Sequence, residues 1–80
     1  FNPETRISYD LRQAQDVKLE IYNVRGQLVR TLVNENKTAG KHSAIWNGLD
    51  EQNRPVASGI YYYKLTAGNF ANVKKMVLMK

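Results

Sequence analysis

The stretch 59–68 constrains the fold of this chain more than any other. It reads GIYYYKLTAG, with glycine at both ends and mostly β-branched or aromatic residues between them. Such side chains favour the pleated, half-buried surface of a β-strand. Because successive side chains on a strand point to opposite faces, Tyr61, Tyr63, Leu65 and Ala67 share one face. We therefore predict a central strand whose inward residues include Tyr61, Tyr63 and Leu65.

Alternation of apolar and polar residues predicts further strands on both sides of this stretch. The alternation is clearest in residues 17–22 and weakest in 27–34. In 27–34 either both faces are partly covered or a β-bulge shifts the phase midway. A short helix over residues 28–33 is the alternative, and its β-branched residues argue against it. The predicted strands cover residues 5–11, 17–22, 27–34, 41–46, 56–58, 59–67 and 72–80.

Two glycine-containing turns predict how neighbouring strands pair. Gly26 would supply the positive φ that closes a type I turn with a bulge. Gly68 and Asn69 would form a two-residue loop, and that register pairs Tyr61 with Met76.

The strand count and the spacing of the turns predict the fold class. About seven short strands, with turn signals every eight to twelve residues or so, are typical of an all-β, antiparallel sandwich of the immunoglobulin/fibronectin-III-like type. We expect a single domain over residues 1–80. Since the chain has no cysteine, its stability must come from packing, above all of Trp46 and the five tyrosines. Because the chain begins without methionine, we expect the C-terminal module of a larger secreted protein.

Charge and hydropathy exclude two classes of function. The net charge is +5, but apart from Lys74 and Lys75 the basic residues are spread along the chain. A spread pattern is typical of a solvated exterior, so we expect no nucleic-acid binding. No apolar run approaches the roughly 18 residues of a membrane-spanning helix.

Chemistry-bearing residues are few, and we expect neither enzyme activity nor a cofactor or metal. His42 is the single histidine; it falls on the predicted inward face, so we interpret it as structural. Asp50 and Glu51 are adjacent in a loop and cannot flank a glycosidic bond. The oxygen-bearing residues from Asn47 to Asn53 favour turn and cap chemistry, with a weak calcium site as the alternative.

Several segments together resemble a known family. The matching residues are Asn2-Pro3, 7–9, 17–23, Gly26, Val29, 39–42, 46–48, 54–61, 74–76 and Lys80. They resemble the C-terminal sorting domain (type A) of bacterial type IX secretion, a family that overlaps with the immunoglobulin-like domain of flagellar hook-capping proteins. Where that family often has a glycine, this chain has Asn53, and asparagine tolerates the left-handed conformation.

The resemblance implies a non-catalytic C-terminal sorting and cell-surface-attachment domain. Its partners would be the outer-membrane secretion machinery and a covalently linked upstream cargo domain, and we expect a monomer. It would reach the cell surface, or be secreted, through the periplasm and outer membrane. The resemblance assigns the sorting signal to Gly59, Ile60, Tyr61, Lys74, Lys75 and Lys80.

Two other functions fit the residues. An accessory immunoglobulin-like module of a glycoside hydrolase would act as a spacer or make weak carbohydrate contact through Tyr22 and Tyr62, both predicted off the core face. A structural piece of a flagellar or other assembly is the third hypothesis. The final strand, with lysines flanking residues 76–79, favours either protection against aggregation or recognition by strand addition to a sheet edge.

Overall fold

The computed structural model describes residues 4–79, and six antiparallel strands make up most of that range. They are β1 (Thr5–Leu11), β2 (Gln15–Asn23), β3 (Leu28–Lys37), β4 (Gly40–Trp46), β5 (Gly59–Ala67) and β6 (Phe70–Leu78). The Asn2-Pro3 motif and Lys80 lie outside the described residues. Within those residues, no helix has the length and apolar character needed to cross a membrane.

The predicted short strand at residues 56–58 does not form, so the described chain has six strands rather than seven. Pro55 makes only an isolated bridge to Leu49, and the N–H of Val56 donates to the carbonyl of Gly48 at 3.0 Å. Proline has no N–H to donate to a ladder. This segment is therefore part of a long, internally bonded loop.

The strands form two layers. β3, β2, β5 and β6 follow one another in a four-stranded sheet, and β1 pairs with β4 in a two-stranded sheet. Every pairing is antiparallel. The predicted all-β antiparallel sandwich is confirmed, and β5 lies inside the larger sheet as expected.

The core lies between the layers and draws on all six strands. Trp46 is fully buried at the end of β4. Its ring meets that of Tyr61 edge to face, with centroids 5.1 Å apart, and its indole Nε1–H donates to the carbonyl of Leu49 at 3.0 Å. Tyr61 and Leu65 are buried as predicted, and Tyr63 is half-buried against the same core.

A β-bulge in β3 explains why its alternation is weak. The β2–β3 register shifts twice, once beside Leu19 and once beside Ile21. The extra residues let Val29 and Val33 reach the core, with Leu32 packed against it. The bulge is confirmed, and the helical alternative is wrong.

Both predicted turns form. Gly26 has φ 81°, and its N–H donates to the carbonyl of Asn23 at 3.0 Å. Gly68, with φ 59°, is the first residue of a two-residue loop, the conformation that a type II′ turn requires. The predicted pairing of Tyr61 with Met76 is confirmed.

Candidate functional site

The residues that the sequence singles out on β5 and β6 do not converge on one site. Tyr61 is in the core, whereas Ile60 lies on the outer face of the four-stranded sheet, paired with Val77. Lys75 shares that outer face opposite Tyr62, and Lys74 stands on the opposite face across from Tyr63.

Of the other two candidates, Gly59 opens β5 with φ 153°, a backbone conformation that favours glycine. Lys80 is outside the described residues.

Tyr61 has a structural environment. Its hydroxyl donates to the carbonyl of Ala57 at 2.7 Å, and burial raises the pKa of its phenol. Because a buried tyrosine stays neutral and needs a partner for its hydroxyl, this bond ties the end of the long loop to β5. We therefore interpret Tyr61 as a link between the core and the loop.

The loop between β4 and β5 packs along the free edge of β3. The side chain of Glu51 accepts a hydrogen bond from the N–H of Thr31 at 2.6 Å. The N–H of Glu51 donates to the carbonyl of Val29 at 3.0 Å. The loop thus satisfies backbone groups that an edge strand otherwise leaves unpaired.

Arg30 fastens the same loop from the strand side. Its Nη1 donates to the carbonyl of Asp50 at 2.5 Å and to Oδ1 of Asn53 at 3.0 Å. Asn53 adopts φ 61°, so asparagine does take the left-handed conformation at this position. The contacts join residues that lie twenty or more apart in sequence.

Asp50 organises the loop internally. Its Oδ1 accepts hydrogen bonds from the N–H groups of Gln52, at 2.9 Å, and Arg54, at 3.0 Å, and its Oδ2 lies 3.2 Å from Nε of Arg54. The hydrogen bond from the Arg54 backbone, reinforced by that of Gln52 and by the Arg54 charge, holds the pKa of Asp50 below its ordinary value. These oxygens serve turn chemistry, as the sequence favoured.

His42 is held by structural contacts. Its ring stacks on that of Tyr9 with centroids 5.5 Å apart, and Nε2 lies 2.7 Å from the carbonyl of Thr38, to which it donates. Residues 4–79 contain no cluster of three or more histidine, cysteine or acidic side chains that could hold a metal ion. The geometry around His42 supports the structural interpretation.

The outer face of the four-stranded sheet carries the two tyrosines that the carbohydrate hypothesis used. Tyr22 and Tyr62 are directly opposite in register, and both are half-buried. Burial, then the hydrogen bond and charge of Glu20, raise the pKa of Tyr22. Glu20 is only 7% exposed and pairs with Lys18 at 3.6 Å. These rings are packed into the sheet surface.

A family model identifies the chain. The model of the FlgD Ig-like domain matches residues 2–70, which is most of the sequence. This chain belongs to the FlgD Ig-like domain family. In a search of curated proteins no sequence matches it.

Solved FlgD structures share the fold. FlgD from Xanthomonas campestris, a protein of the hook capping essential for flagellar assembly, superposes with a TM-score of 0.73 at 23% identity over 95% of this chain. FlgD from P. aeruginosa gives 0.71 at 20% identity over 94%, and truncated FlgD from Helicobacter pylori 0.68 at 19% over 96%. The chain spans 56–60% of the length of these structures. The likeness establishes an immunoglobulin-like fold.

The family assignment corrects the expectations drawn from the sorting-domain resemblance. The sorting family and the hook-capping Ig-like domain overlap in sequence, and the match is to the hook-capping domain. The predicted type IX sorting function is therefore wrong, and so is the hydrolase-module alternative. The expected partners, the outer-membrane secretion machinery and a linked cargo, are wrong for the same reason, as is localisation through the periplasm and outer membrane. The sorting role of Gly59, Ile60, Tyr61, Lys74, Lys75 and Lys80 rested on that resemblance.

Two features of the surface were not predicted from the sequence. The contacts of Arg30 with the loop link distant segments, and no local pattern signals them. The exposed valines of β6 had a signal: Val73 and Val77 alternate with the residues predicted to face inward, so the register alone places them on the outer face.

Proposed function

We propose that this chain is a non-catalytic structural module that takes part in hook capping during flagellar assembly. The match of the FlgD Ig-like family to residues 2–70 carries the proposal. It also favours the third hypothesis from the sequence, a structural piece of a flagellar assembly.

The use of the polar side chains supports a structural role. In the described residues, the acidic groups of the long loop accept backbone hydrogen bonds, as Asp50 and Glu51 do. The single histidine is stacked on Tyr9. Nucleophilic catalysis needs a base beside a nucleophile and a group that orients the base. These side chains are instead used to hold loops and strands in place.

We further propose that residues 1–80 form one module of a longer protein. The FlgD structures from X. campestris and P. aeruginosa are covered to only 56% and 59% by a fold that uses 95% and 94% of this chain. A module of this kind would work at the flagellar hook together with other segments of its own protein.

The test is a gene replacement in the source bacterium. Within the full-length protein, residues 4–79 of this module are exchanged for a flexible Gly/Ser linker, and hooks are counted by electron microscopy. We expect the linker strain to lose hooks. We expect a strain with Trp46→Ala to lose them as well, because that residue is buried in the core.

The control strain carries Val24→Thr. Val24 is exposed at the turn between β2 and β3, and the replacement keeps a β-branched side chain of similar size. We expect its hooks to match the parent in number and length. Normal hooks in the linker strain would show that this module has no part in hook capping.

A further inference from the structure

The free edge of β6 has the properties of a docking site for another strand. We propose that it binds an extended, acidic segment of a partner protein by strand addition. The inference goes beyond the proposed function, because it names a binding surface and the charge of the partner. Neither depends on which assembly the module belongs to.

The first argument is the direction of the backbone groups. In a two-residue hairpin loop, the residues that flank the loop, Ala67 and Phe70, exchange both hydrogen bonds. Alternate residues of β6, starting at Ala71, therefore direct their N–H and C=O groups away from β5. β6 ends the four-stranded sheet, and no other described strand pairs with it. These groups form an open ladder for an incoming strand.

The second argument is the apolar surface along this edge. Phe70 is 56% exposed, and Val73 and Val77 are each 57% exposed. The β5–β6 register is continuous from one end to the other, so β6 has no bulge, and it contains no proline. Two of the usual devices that prevent strand addition are thus absent from β6. An incoming strand would cover the valines on the outer face.

The third argument is charge. β6 carries Lys74 and Lys75 and no carboxylate, and neither lysine belongs to an ion pair among the described residues. Lys64 shares the outer face with Lys75 and lies opposite Val73. Lys74, by contrast, is on the inner face. The neighbour of Lys64 in register on β2 is Glu20, a carboxylate that already pairs with Lys18 at 3.6 Å. The edge is therefore positively charged on both faces.

The same charges disfavour a second copy of this chain as the occupant. Two β6 strands related by a two-fold axis perpendicular to the sheet would run antiparallel, and the registers that overlap most bring Lys74 and Lys75 close to their own copies. Like charges directly opposite on neighbouring strands are destabilising. An acidic strand places carboxylates at these positions instead, and opposite charges across a strand pair are stabilising. The lysines thus select the partner as well as attract it.

The test uses the full chain and two synthetic peptides as probes. The acidic probe has the sequence TVTEEVTV and the basic control TVTKKVTV, each with blocked ends and a fluorescent label. We expect fluorescence anisotropy to show the acidic peptide binding at least about tenfold more tightly, since several charge pairs change from attractive to repulsive. Hydrogen exchange is expected to slow at the amides of Val73, Lys75 and Val77.

The Val73→Pro variant tests the contribution of backbone hydrogen bonds to binding separately from that of the side chains. On the hairpin geometry the N–H of Val73 points away from β5, so proline removes a donor for the incoming strand and none from the β5–β6 ladder. We expect a loss of about tenfold in affinity for the acidic peptide. Val73→Thr keeps the N–H and the β-branched shape, and we expect it to bind like the parent.

A charge exchange tests the proposal independently of that proline. The double variant Lys74→Glu, Lys75→Glu is expected to lose the acidic peptide and to gain the basic one. Circular dichroism and the melting temperature report whether each variant is folded. Equal affinity for the two peptides, exchange protection at β3 instead of β6, or self-association through β6 would each overturn the proposal. Failure of this test would leave the hook count of the linker strain as a separate result.

Discussion

The two edges of the four-stranded sheet differ in how their backbone groups are satisfied. Along β3, the loop between β4 and β5 bonds to Thr31 and Val29 through a single residue, Glu51. Along β6, no described strand or loop does the same. Among residues 4–79, one edge is closed by the chain itself, and the other is open.

The side chains of the two edges differ in the same sense. The distal half of β3 is polar and exposed, and it includes an ion pair between Glu35 and Lys37 at 3.5 Å. β6 instead exposes apolar side chains, with Val73 and Val77 on its outer face. A strand edge can therefore be closed without a further strand, and such closure leaves one direction in which the sheet can be extended.

The largest expected effect is that of Trp46→Ala, which removes support from the closed edge. Trp46 is fully buried, and its indole N–H donates to the carbonyl of Leu49, near the start of the loop. We expect unfolding free energy to fall by about 3–5 kcal/mol, a large part of the roughly 5–15 kcal/mol that a domain has. Urea denaturation measures it.

Trp46→Phe is the matched control. It keeps most of the apolar volume but loses the indole donor and part of the ring volume, so we expect a smaller loss of about 1–2 kcal/mol. A Trp46→Ala protein that unfolds at the same urea concentration as the parent would contradict the role of this residue in the core.

Arg30→Ala should open the β3 edge without emptying the core. It removes two hydrogen bonds to the loop, to Asp50 and Asn53. We expect a loss of about 1–2 kcal/mol, since the side chain is only part-buried, together with faster hydrogen exchange at Thr31. Arg25→Ala, at the exposed β2–β3 turn, is the control, and we expect a change within about 0.5 kcal/mol. Unchanged exchange at Thr31 in the Arg30 variant would mean that the Arg30 contacts are not needed to hold the loop on this edge.

The same substitution at two valines compares the stability contributed by the buried face of β3 with that contributed by the open edge of β6. Val33→Ala removes buried methyl groups from the core, and we expect a loss of about 2 kcal/mol. Val73→Ala removes the same groups from an exposed position, so we expect a change within about 0.5 kcal/mol. Thermal unfolding measures both. Equal losses would mean that the outer face of β6 is covered in the isolated chain.

Much of the fold could be predicted, because a strand with one buried face shows a clear alternation of apolar and polar residues in the sequence. Residues 17–22 alternate since Val17, Leu19 and Ile21 all face the core. The register of β5 and β6 followed from a two-residue loop at Gly68. The extent of β3 was less predictable, because two register shifts interrupt its alternation. The loop contacts of Arg30 were not predictable, since they depend on tertiary structure.

The function predicted from the sequence was wrong, and the reason is physical. Residues that carried the resemblance to the sorting family, such as Trp46 and Tyr61, lie in the core of the sandwich. Gly59 has a backbone conformation that favours glycine. Such residues record the requirements of the fold, and proteins with different functions share them. A comparison with the pattern of the whole family was needed to separate the FlgD Ig-like domain family from the sorting family.

The smallest expected effect is a pH dependence confined to the closed edge. Hydrogen bonds from the Arg54 and Gln52 backbone, with the Arg54 charge, lower the pKa of Asp50 in the folded state. Its contribution to stability is then complete above the ordinary aspartate pKa of about 3.9, and it is lost as the pH falls through the lower folded value. We expect acid to weaken the loop and to speed hydrogen exchange at Thr31 relative to its intrinsic rate.

Asp50→Asn isolates this effect, because it keeps the side-chain oxygen and removes the charge. We expect the parent to melt at a higher temperature than the variant by a constant margin near neutral pH, and the margin to narrow below about pH 4 as the parent carboxylate is protonated. Asp10→Asn controls for the change in net charge, because Asp10 is an exposed residue of β1 away from the loop. A margin that stays constant down to the lowest pH at which the fold survives would mean that the Asp50 charge does not stabilise the loop, and that closure of the β3 edge depends on Arg30 and Glu51 alone.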